Sequence, residues 1–323
     1  MANKIVAVVG DNVIYNKDQF IIDLIANWQQ GPVIVDLLTE GPCCRSIGLD
    51  DILSDIQNKF KVKFDDLIIQ TGNQLSSSKF QEKRTRLAEI KKSKEFIIDS
   101  QTGDFEKKFG LFIGRSNGNR LGLASYLYKN YQSSTLMTFH FDPHSDFHIA
   151  NLGLENFLRY NWDQRRDIYH FLEHVPIADQ KFDSYPILWN KDAFNLQSQY
   201  KQIFCDIVCE TFFTGKTFMP TEKTLRAIVN RRPFLVQGPK WYLHNLCKLG
   251  FKTFDRWWSE EYDLLESDQK YGELKLIIDY ISSQKIDTLK NWYHEMHDVI
   301  EHNINTLKNL NNNAITDTKF YYE

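Results

Sequence analysis

The sequence predicts an α/β protein built from two Rossmann-like domains that face each other across a cleft. Short apolar runs rich in β-branched residues alternate with stretches that place apolar residues at helical spacing. This alternation is typical of parallel sheets flanked by helices. The length of 323 residues is sufficient for two hydrophobic cores of ordinary domain size.

The first alternating series predicts an N-terminal domain over residues 1–105. Its predicted strands cover 4–9, 33–38 and 66–70, and its predicted helices cover 17–28 and 49–60. From residue 74 to residue 104 the chain turns polar, and we interpret the later part of this stretch as a linker between domains. Its basic cluster, 79–94, is either a partner-binding patch or, over Arg84 to Lys94, a solvated helix.

The second alternating series predicts a C-terminal domain over residues 106–270. Its predicted strands cover 109–114, 136–141, 203–209 and 233–237, and its predicted helices cover 121–131, 222–229 and 242–249. The remainder, 271–323, is periodic and helical until a polar tail. We expect these last helices to pack over the junction between the two domains.

Composition and charge bear on the class of partner and on the cellular setting. A net charge of -3 and a pI near 6.3 give no general attraction to a nucleic-acid backbone. The five cysteines are odd in number and lack Cys-x-x-Cys spacing, which favours a reduced cytoplasmic setting. No apolar run reaches the length that spans a bilayer, so we expect no membrane span.

A strand, a turn-rich loop, a helix and a second strand follow one another in Phe204 to Pro239. Glu210 ends the first strand, and Thr221, Glu222 and Lys223 open the helix. A helix N-terminus offers unpaired N–H groups and suits a diphosphate, to which Lys223 would add a full charge. Glu222 would accept hydrogen bonds from a ribose diol. The alternative interpretation is that Thr221 only caps the helix and Glu222 only complements its dipole.

Three motifs in this part of the chain occur in a recognisable order. They are Phe204 to Glu210, Pro220-Thr221-Glu222-Lys223, and Pro233 to Pro239. This order resembles the donor-binding region of α-1,3-fucosyltransferases, in which a strand ending in Phe-Glu-Asn precedes Thr-Glu-Lys, a helix and a Pro-x-x-x-x-Gly strand. This chain departs from that pattern because Thr211 follows Glu210 and the loop to Thr221 is long.

A second segment supports the same resemblance. The run from Phe112 to Arg120 contains Arg115, Ser116 and Asn117 and leads into a predicted helix, like the family's strand, Ser-Asn, arginine and helix. The likeness covers roughly residues 109–239. It implies a GT-B fold and an inverting transfer that needs no metal or other cofactor.

The resemblance also implies roles for individual residues. The donor would be a GDP-sugar or a UDP-sugar, with Glu222 and Lys223 as its principal contacts. Arg120 matches the family arginine that neutralises the diphosphate. The predicted nucleotide pocket consists of Thr221, Glu222, Lys223, Arg120, Arg115, Glu210 and Asn117. Cations there would stabilise the charge that develops on the leaving diphosphate.

An inverting transfer also needs a general base. Candidates are Asp142, Asp146 and Glu40, which follow predicted strands, where ligands of α/β sheets bind. Asp142 and Asp146 belong to the segment His140 to His148, in which His or Asp recurs at every second position. This pattern indicates an acceptor pocket, a metal site or a polar exit from the strand.

The sequence therefore predicts a glycosyltransferase that moves a sugar from a nucleotide-sugar donor to an acceptor hydroxyl. The acceptor would be a glycan or a hydroxymethylated base in DNA. Two other functions stay open: a metal-dependent hydrolase centred on His140 to His148, and a nucleotide-sugar binding protein without catalytic activity.

Overall fold

A computed structural model describes most of the chain. The described residues are 2–10, 13–28, 31–37, 41–61, 64, 66–85, 88–114, 118–139, 158, 161–174, 196–311, 315 and 318–322. All statements below concern these residues.

The first unit is built on a parallel sheet of four strands. They are β1 (Asn3–Val6), β4 (Val33–Asp36), β5 (Leu67–Thr71) and β6 (Gln81–Arg84), and they lie side by side in that order. A small antiparallel pair, β2 (Val9–Gly10) and β3 (Val13–Ile14), follows β1. The central strands β4 and β5 carry aliphatic side chains that fill the core, as buried parallel strands require.

The second unit is built on another parallel sheet of four strands. They are β7 (Lys107–Ile113), β8 (Thr135–Phe139), β9 (Ile203–Cys209) and β10 (Phe234–Gln237). Their order across the sheet is β10-β9-β7-β8, so β7 pairs with β8 on one side and with β9 on the other. Every residue of β9 is buried, which identifies it as a central strand.

Helices separate the strands and close the chain. They are α1 (Lys17–Asn27), α2 (Leu49–Phe60), α3 (Ala88–Ser93), α4 (Gly118–Tyr131), α5 (Arg165–Leu172), α6 (Gln197–Tyr200), α7 (Glu222–Val229), α8 (Tyr242–Lys248), α9 (Ser267–Ser283), α10 (Ile286–Glu295) and α11 (His297–Asn309). Short 3-10 turns occur at Lys94–Phe96, Gln132–Ser134, Trp162–Gln164 and Glu261–Leu264. None of the described helices is both long and apolar enough to cross a membrane.

Two hydrophobic cores form around the two sheets. The first gathers buried side chains between Ile5 and Ile69, and the second gathers those from Leu75 to Ile315. The second includes Ile90 of α3 and Phe105, so the segment before β7 packs on the second sheet. The predicted α/β fold with two Rossmann-like sheets is thereby confirmed.

Two elements differ from the sequence prediction. The predicted strand 4–9 is split, because β1 ends at Val6 and the chain then turns into the β2 and β3 pair. β6 lies in the polar, basic stretch for which the sequence predicted no strand. Its residues are Gln81, Glu82, Lys83 and Arg84, and polar side chains of this kind are tolerated on an edge strand that faces water.

The C-terminal helices pack against the second unit. α9 contacts β10, α10 contacts β9 and α11 contacts α7. The tail beyond them returns to the carboxyl edge of the second sheet, where Tyr321 exchanges two hydrogen bonds with the side chain of Asn245 (2.6 and 2.8 Å). The tail therefore borders the loops that follow β9 and β10.

Candidate functional site

The strand order of the second sheet contains a topological switch point. The chain runs from β7 to β8 on one side and then crosses back to β9 on the other. The loops after β7 and β9 therefore leave the sheet in opposite directions and open a crevice at its carboxyl edge, where α/β proteins bind ligands. The first sheet follows chain order among its described strands and has no such reversal.

Glu210 lies at this crevice, directly after β9, and its carboxylate is buried. The hydroxyls of Thr221, Thr224 and Tyr242 donate to it over 2.6, 2.6 and 2.7 Å. The backbone N–H groups of Thr211 and Thr221 lie at 3.3 Å from its oxygens. A buried carboxylate with this number of donors is well satisfied. Glu210 therefore ties the end of β9 to α7 and α8.

The Glu210 contacts fix the start of α7. Thr221 has extended backbone angles, and its side chain accepts a hydrogen bond from the N–H of Lys223 at 3.3 Å, which is the geometry of an N-cap. Thr221 therefore caps α7. It leaves Glu222 and Lys223 in the first turn, held in place by a capped helix of eight residues.

Glu222 and Lys223 form an ion pair with 2.8 Å between Oε1 and Nζ. Their side chains keep 22% and 19% of their surface exposed, so both can be reached from solvent. Burial alone would raise the pKa of Glu222, but the Lys223 ammonium, together with Arg226 and a backbone hydrogen bond, outweighs burial, and the pKa is lowered. Glu222 is thus held as a carboxylate beside a cation. A ligand can replace either partner, because partly exposed ion pairs contribute little net stability.

Arg120 comes to the same place from the first turn of α4. It is buried, and its Nη2 donates to the backbone carbonyl of Glu210 at 2.8 Å. Lys223 contacts the next residue, since its Nζ lies 3.2 Å from the hydroxyl of Thr211. Two cations that are far apart in sequence therefore converge on residues 210 and 211, at the crevice between β7 and β9.

The exit of β10 completes this edge of the sheet. Gln237 donates from Nε2 to the carbonyl of Asn119 over 3.2 Å, which links β10 to the start of α4. Lys270 is buried, and its Nζ donates to the carbonyls of Gly238 and Pro239 at 2.9 and 2.8 Å. Burial lowers the pKa of Lys270 to about 8. Lys270 of α9 therefore holds the loop after β10 in place.

The first unit meets the same crevice through its own carboxyl edge. Asn73, which follows β5, bonds to Lys216 and Phe218 in the loop after β9. Thr217 of that loop donates from its hydroxyl to the carbonyl of Gly41, which follows β4. The carboxyl ends of the two parallel sheets thus face each other across the loop after β9.

Several predicted site residues lie outside the described part of the chain. They are Arg115, Asn117, Glu40, Asp142 and Asp146, together with the rest of His140 to His148. Among the described residues, no group of three or more His, Cys, Asp or Glu side chains could hold a metal ion. The base and metal hypotheses for these segments stay predictions.

A surface cavity of about 470 Å³ lies elsewhere, between the 255–259 loop and α9. Its floor includes Trp258, whose ring lies 6.4 Å from that of Phe204 near the start of β9. This cavity is therefore at the amino-terminal edge of the second sheet, opposite the switch point.

Sequence reasoning missed four residues of the site: Asn73, Thr224, Tyr242 and Asn245. Thr224 and Tyr242 carry ordinary helix signals, and nothing local marks them as partners of Glu210. Asn73 had a usable signal, because it follows a buried strand in a Thr-Gly-Asn-Gln turn.

Comparisons with known proteins give one distant likeness. No known family matches the chain, and no curated protein matches it. Among solved structures, the chain is similar to a UDP-forming α,α-trehalose-phosphate synthase from Burkholderia vietnamiensis. The two share 10% identity and a TM-score of 0.42 over 94% of this chain and 72% of the other.

Proposed function

We propose that the chain is a glycosyltransferase that takes a sugar from a nucleotide-sugar donor and binds the donor at the switch point of the second sheet. The observation that carries this proposal is the convergence of Arg120 and Lys223 on residues 210 and 211. Two cations beside a helix N-terminus suit a diphosphate. The resemblance of the Thr221-Glu222-Lys223 and Phe112 to Arg120 segments to α-1,3-fucosyltransferases supports the same assignment.

In this proposal Glu222 and Lys223 exchange partners when the donor binds. The ammonium of Lys223 turns from Glu222 to the diphosphate, and the carboxylate of Glu222 accepts from the ribose hydroxyls. Each charge therefore keeps a partner in both states, which limits the desolvation cost of binding. Arg120 and Lys223 then stabilise the charge that grows on the leaving nucleotide diphosphate. No metal is required for that step.

The acceptor in this proposal is a glycan hydroxyl, which attacks the sugar carbon from the face opposite the leaving diphosphate. Its proton goes to a carboxylate, for which Asp142, Asp146 and Glu40 are the sequence candidates. The opposed carboxyl edges of the two sheets support an acceptor that enters from the first unit. The donor nucleotide is guanosine or uridine diphosphate.

The proposal is tested by calorimetric binding of GDP, UDP, ADP and CMP, and of GDP- and UDP-sugars, with and without EDTA. We expect one nucleotide class to bind without metal. Lys223→Gln should weaken it about 10- to 100-fold, because a hydrogen bond to a charged group is worth roughly 1.5–3 kcal/mol. Lys129→Gln is the matched control, since Lys129 forms a 2.9 Å ion pair with Asp167 elsewhere in the second unit.

Glu222→Gln separates the two proposed roles. The variant should bind the nucleotide more weakly, because the ribose contact is lost. It should bind inorganic pyrophosphate more tightly, because Lys223 is released from its ion pair. Failure of every nucleotide to bind, or binding that disappears with EDTA, would overturn the proposal. Binding without acceptor-dependent release of nucleotide would instead identify a nucleotide-sugar binding protein.

A further inference from the structure

The side chain of Asn73 is buried at the contact between the two units, and all of its hydrogen-bonding capacity is used. Its Nδ2 donates to the carbonyls of Pro42 at 3.3 Å and Lys216 at 2.9 Å. Its Oδ1 accepts from the N–H groups of Leu75 at 2.9 Å and Phe218 at 3.0 Å. One amide therefore joins two loops of the first unit to the loop after β9.

The surrounding backbone reinforces this contact. The N–H of Gln74 donates to the carbonyl of Phe218 at 2.9 Å. Gly41 lies so close that a Cβ atom on it would come within 2.8 Å of the backbone nitrogen of Asn73. Close packing of this kind fixes the two loops of the first unit to each other, and the hydrogen bonds hold the segment Lys216 to Phe218 against them.

This segment is the middle of the loop that carries the candidate donor site. The loop begins at Glu210 and ends at Thr221, and the carboxylate of Glu210 holds both ends together. Asn73 holds its centre. The loop is thus fixed at three places, and the third belongs to the other unit.

We propose that Asn73 is a positioning residue through which the first unit sets the donor loop, so that donor affinity depends on a side chain that makes no contact with the donor. The inference rests on the proposed function. It assigns to the first unit an indirect part in donor binding, through the position of the loop, in addition to its predicted part in acceptor binding.

Asn73→Asp is the sharpest variant. It has the same shape and keeps an oxygen for Leu75 and Phe218, but it replaces the amide donor by a second oxygen that faces the carbonyls of Pro42 and Lys216. A buried group left with mismatched partners costs more than the bond it lost. We expect the segment Lys216 to Phe218 to separate from the first unit.

Asn303→Asp is the matched control. Asn303 is equally buried, and its amide exchanges hydrogen bonds of 2.7 and 2.9 Å with the backbone of Lys252, within the second unit. Both variants should lower the Tm, which removes general destabilisation as an explanation. At a temperature where both variants are folded, only Asn73→Asp should lower the calorimetric affinity for GDP or UDP, by about tenfold.

Two further measurements separate positioning from a merely structural role. In a Lys223→Gln background, Asn73→Asp should cause little additional loss of nucleotide affinity, since its effect passes through Lys223; fully additive losses would oppose the proposal. Hydrogen exchange at Phe218 to Lys223 should accelerate in Asn73→Asp and stay unchanged in Asn303→Asp.

The hydrogen-exchange result also distinguishes the two proposals. If the wild type binds neither GDP nor UDP, the proposed function fails, and the exchange rates alone decide the role of Asn73. Equal protection of Phe218 to Lys223 in Asn73→Asp and Asn303→Asp, or equal nucleotide affinity of the two variants, overturns the inference.

Discussion

In the described part of the chain, the two sheets each contain four parallel strands and differ in the order in which the chain forms them. The strands of the first sheet lie side by side in chain order, β1-β4-β5-β6, whereas those of the second lie in the order β10-β9-β7-β8. Only the second order makes neighbouring loops diverge, and the convergent cations Arg120 and Lys223 lie at that divergence. Strand order, more than composition, therefore distinguishes the unit that presents a binding crevice.

The carboxyl edges of the two sheets also differ in the state of their polar groups. At the second sheet, Glu210 is saturated while Glu222 and Lys223 stay partly exposed in a pair that a ligand can replace. At the first sheet, the amide of Asn73 is buried and fully bonded to the opposite unit. In the proposed function, the edge of the second sheet binds the donor and the edge of the first sheet supports the loop that binds it.

The largest effect is expected from removal of the Glu210 carboxylate, and removal of a similarly buried carboxylate in the first unit is the comparison. Glu210→Ala leaves the hydroxyls of Thr221, Thr224 and Tyr242 without their acceptor and should cost about 3–5 kcal/mol of unfolding free energy. Asp50→Ala in the first unit removes an acceptor for Ser78 and for the N–H of Lys79 and should cost about 1–2 kcal/mol.

Urea unfolding and nucleotide calorimetry distinguish the two clusters. Nucleotide binding should be lost with Glu210→Ala and retained with Asp50→Ala. Equal loss of binding in both variants would mean that general stability, and not the edge of the second sheet, controls the site.

An intermediate effect is expected from an added methyl group where the two edges meet. A Cβ at Gly41 would come within 2.8 Å of the backbone nitrogen of Asn73 and within 2.9 Å of Sδ of Met219, in the loop after β9. Gly41→Ala should therefore destabilise by about 1–3 kcal/mol and weaken nucleotide binding. Thermal unfolding and calorimetry measure both.

Gly272→Ala is the control for this added methyl group. It lies in α9 with no atom within 4 Å of the added Cβ, and it should stabilise the protein by about 0.5–1 kcal/mol. An unchanged nucleotide affinity in Gly41→Ala would break the comparison, since the first edge would then give no support.

The smallest effect concerns pH and buried carboxylates of the second unit. Burial raises the pKa of Glu260 from 4.5 to about 7 and that of Asp206 from 3.8 to about 6. The folded state therefore retains protons that the unfolded chain releases, so stability falls as pH rises from about 4.5 to about 7. Glu260→Gln should remove part of this fall and raise the Tm near pH 7 by roughly 2–4 °C.

The measurement is thermal unfolding from pH 4.5 to pH 8, with the neighbouring exposed Glu261→Gln as control. If the dependence of Tm on pH is identical in wild type and Glu260→Gln, the carboxyl group of Glu260 does not contribute to the pH dependence of stability.

Most of the fold could be predicted from sequence because its central strands carry their signal locally. The runs Val33 to Asp36 and Ile203 to Cys209 are short, apolar and bounded by turns, as buried parallel strands are. β6 could not be predicted, because its residues are all polar and its pairing with β5 is decided by position at the sheet edge.

The candidate site was predictable only where its residues form a motif. Thr221, Glu222 and Lys223 are adjacent in sequence, and Arg120 stands in a recognisable segment. The partners that hold them could not be predicted, since Tyr242 reaches Glu210 across 32 positions and Asn73 reaches Phe218 across 145. Contacts at such separations follow from the assembled topology and leave no local pattern.

The strand order of the second sheet also has a consequence for synthesis of the chain. Among the described residues, the last strand of the first sheet ends at Arg84. This sheet can therefore form while the rest of the chain is still being translated. The pairing of β7 with β9 in the second sheet forms later, because β9 is synthesised about ninety residues after β7. Pairing between strands this far apart in sequence is also slow. During that interval Asn73 and the edge around it have no opposite loop to bind. We therefore expect the nascent protein to pass through a stage in which one half is complete and its docking edge is still open to water.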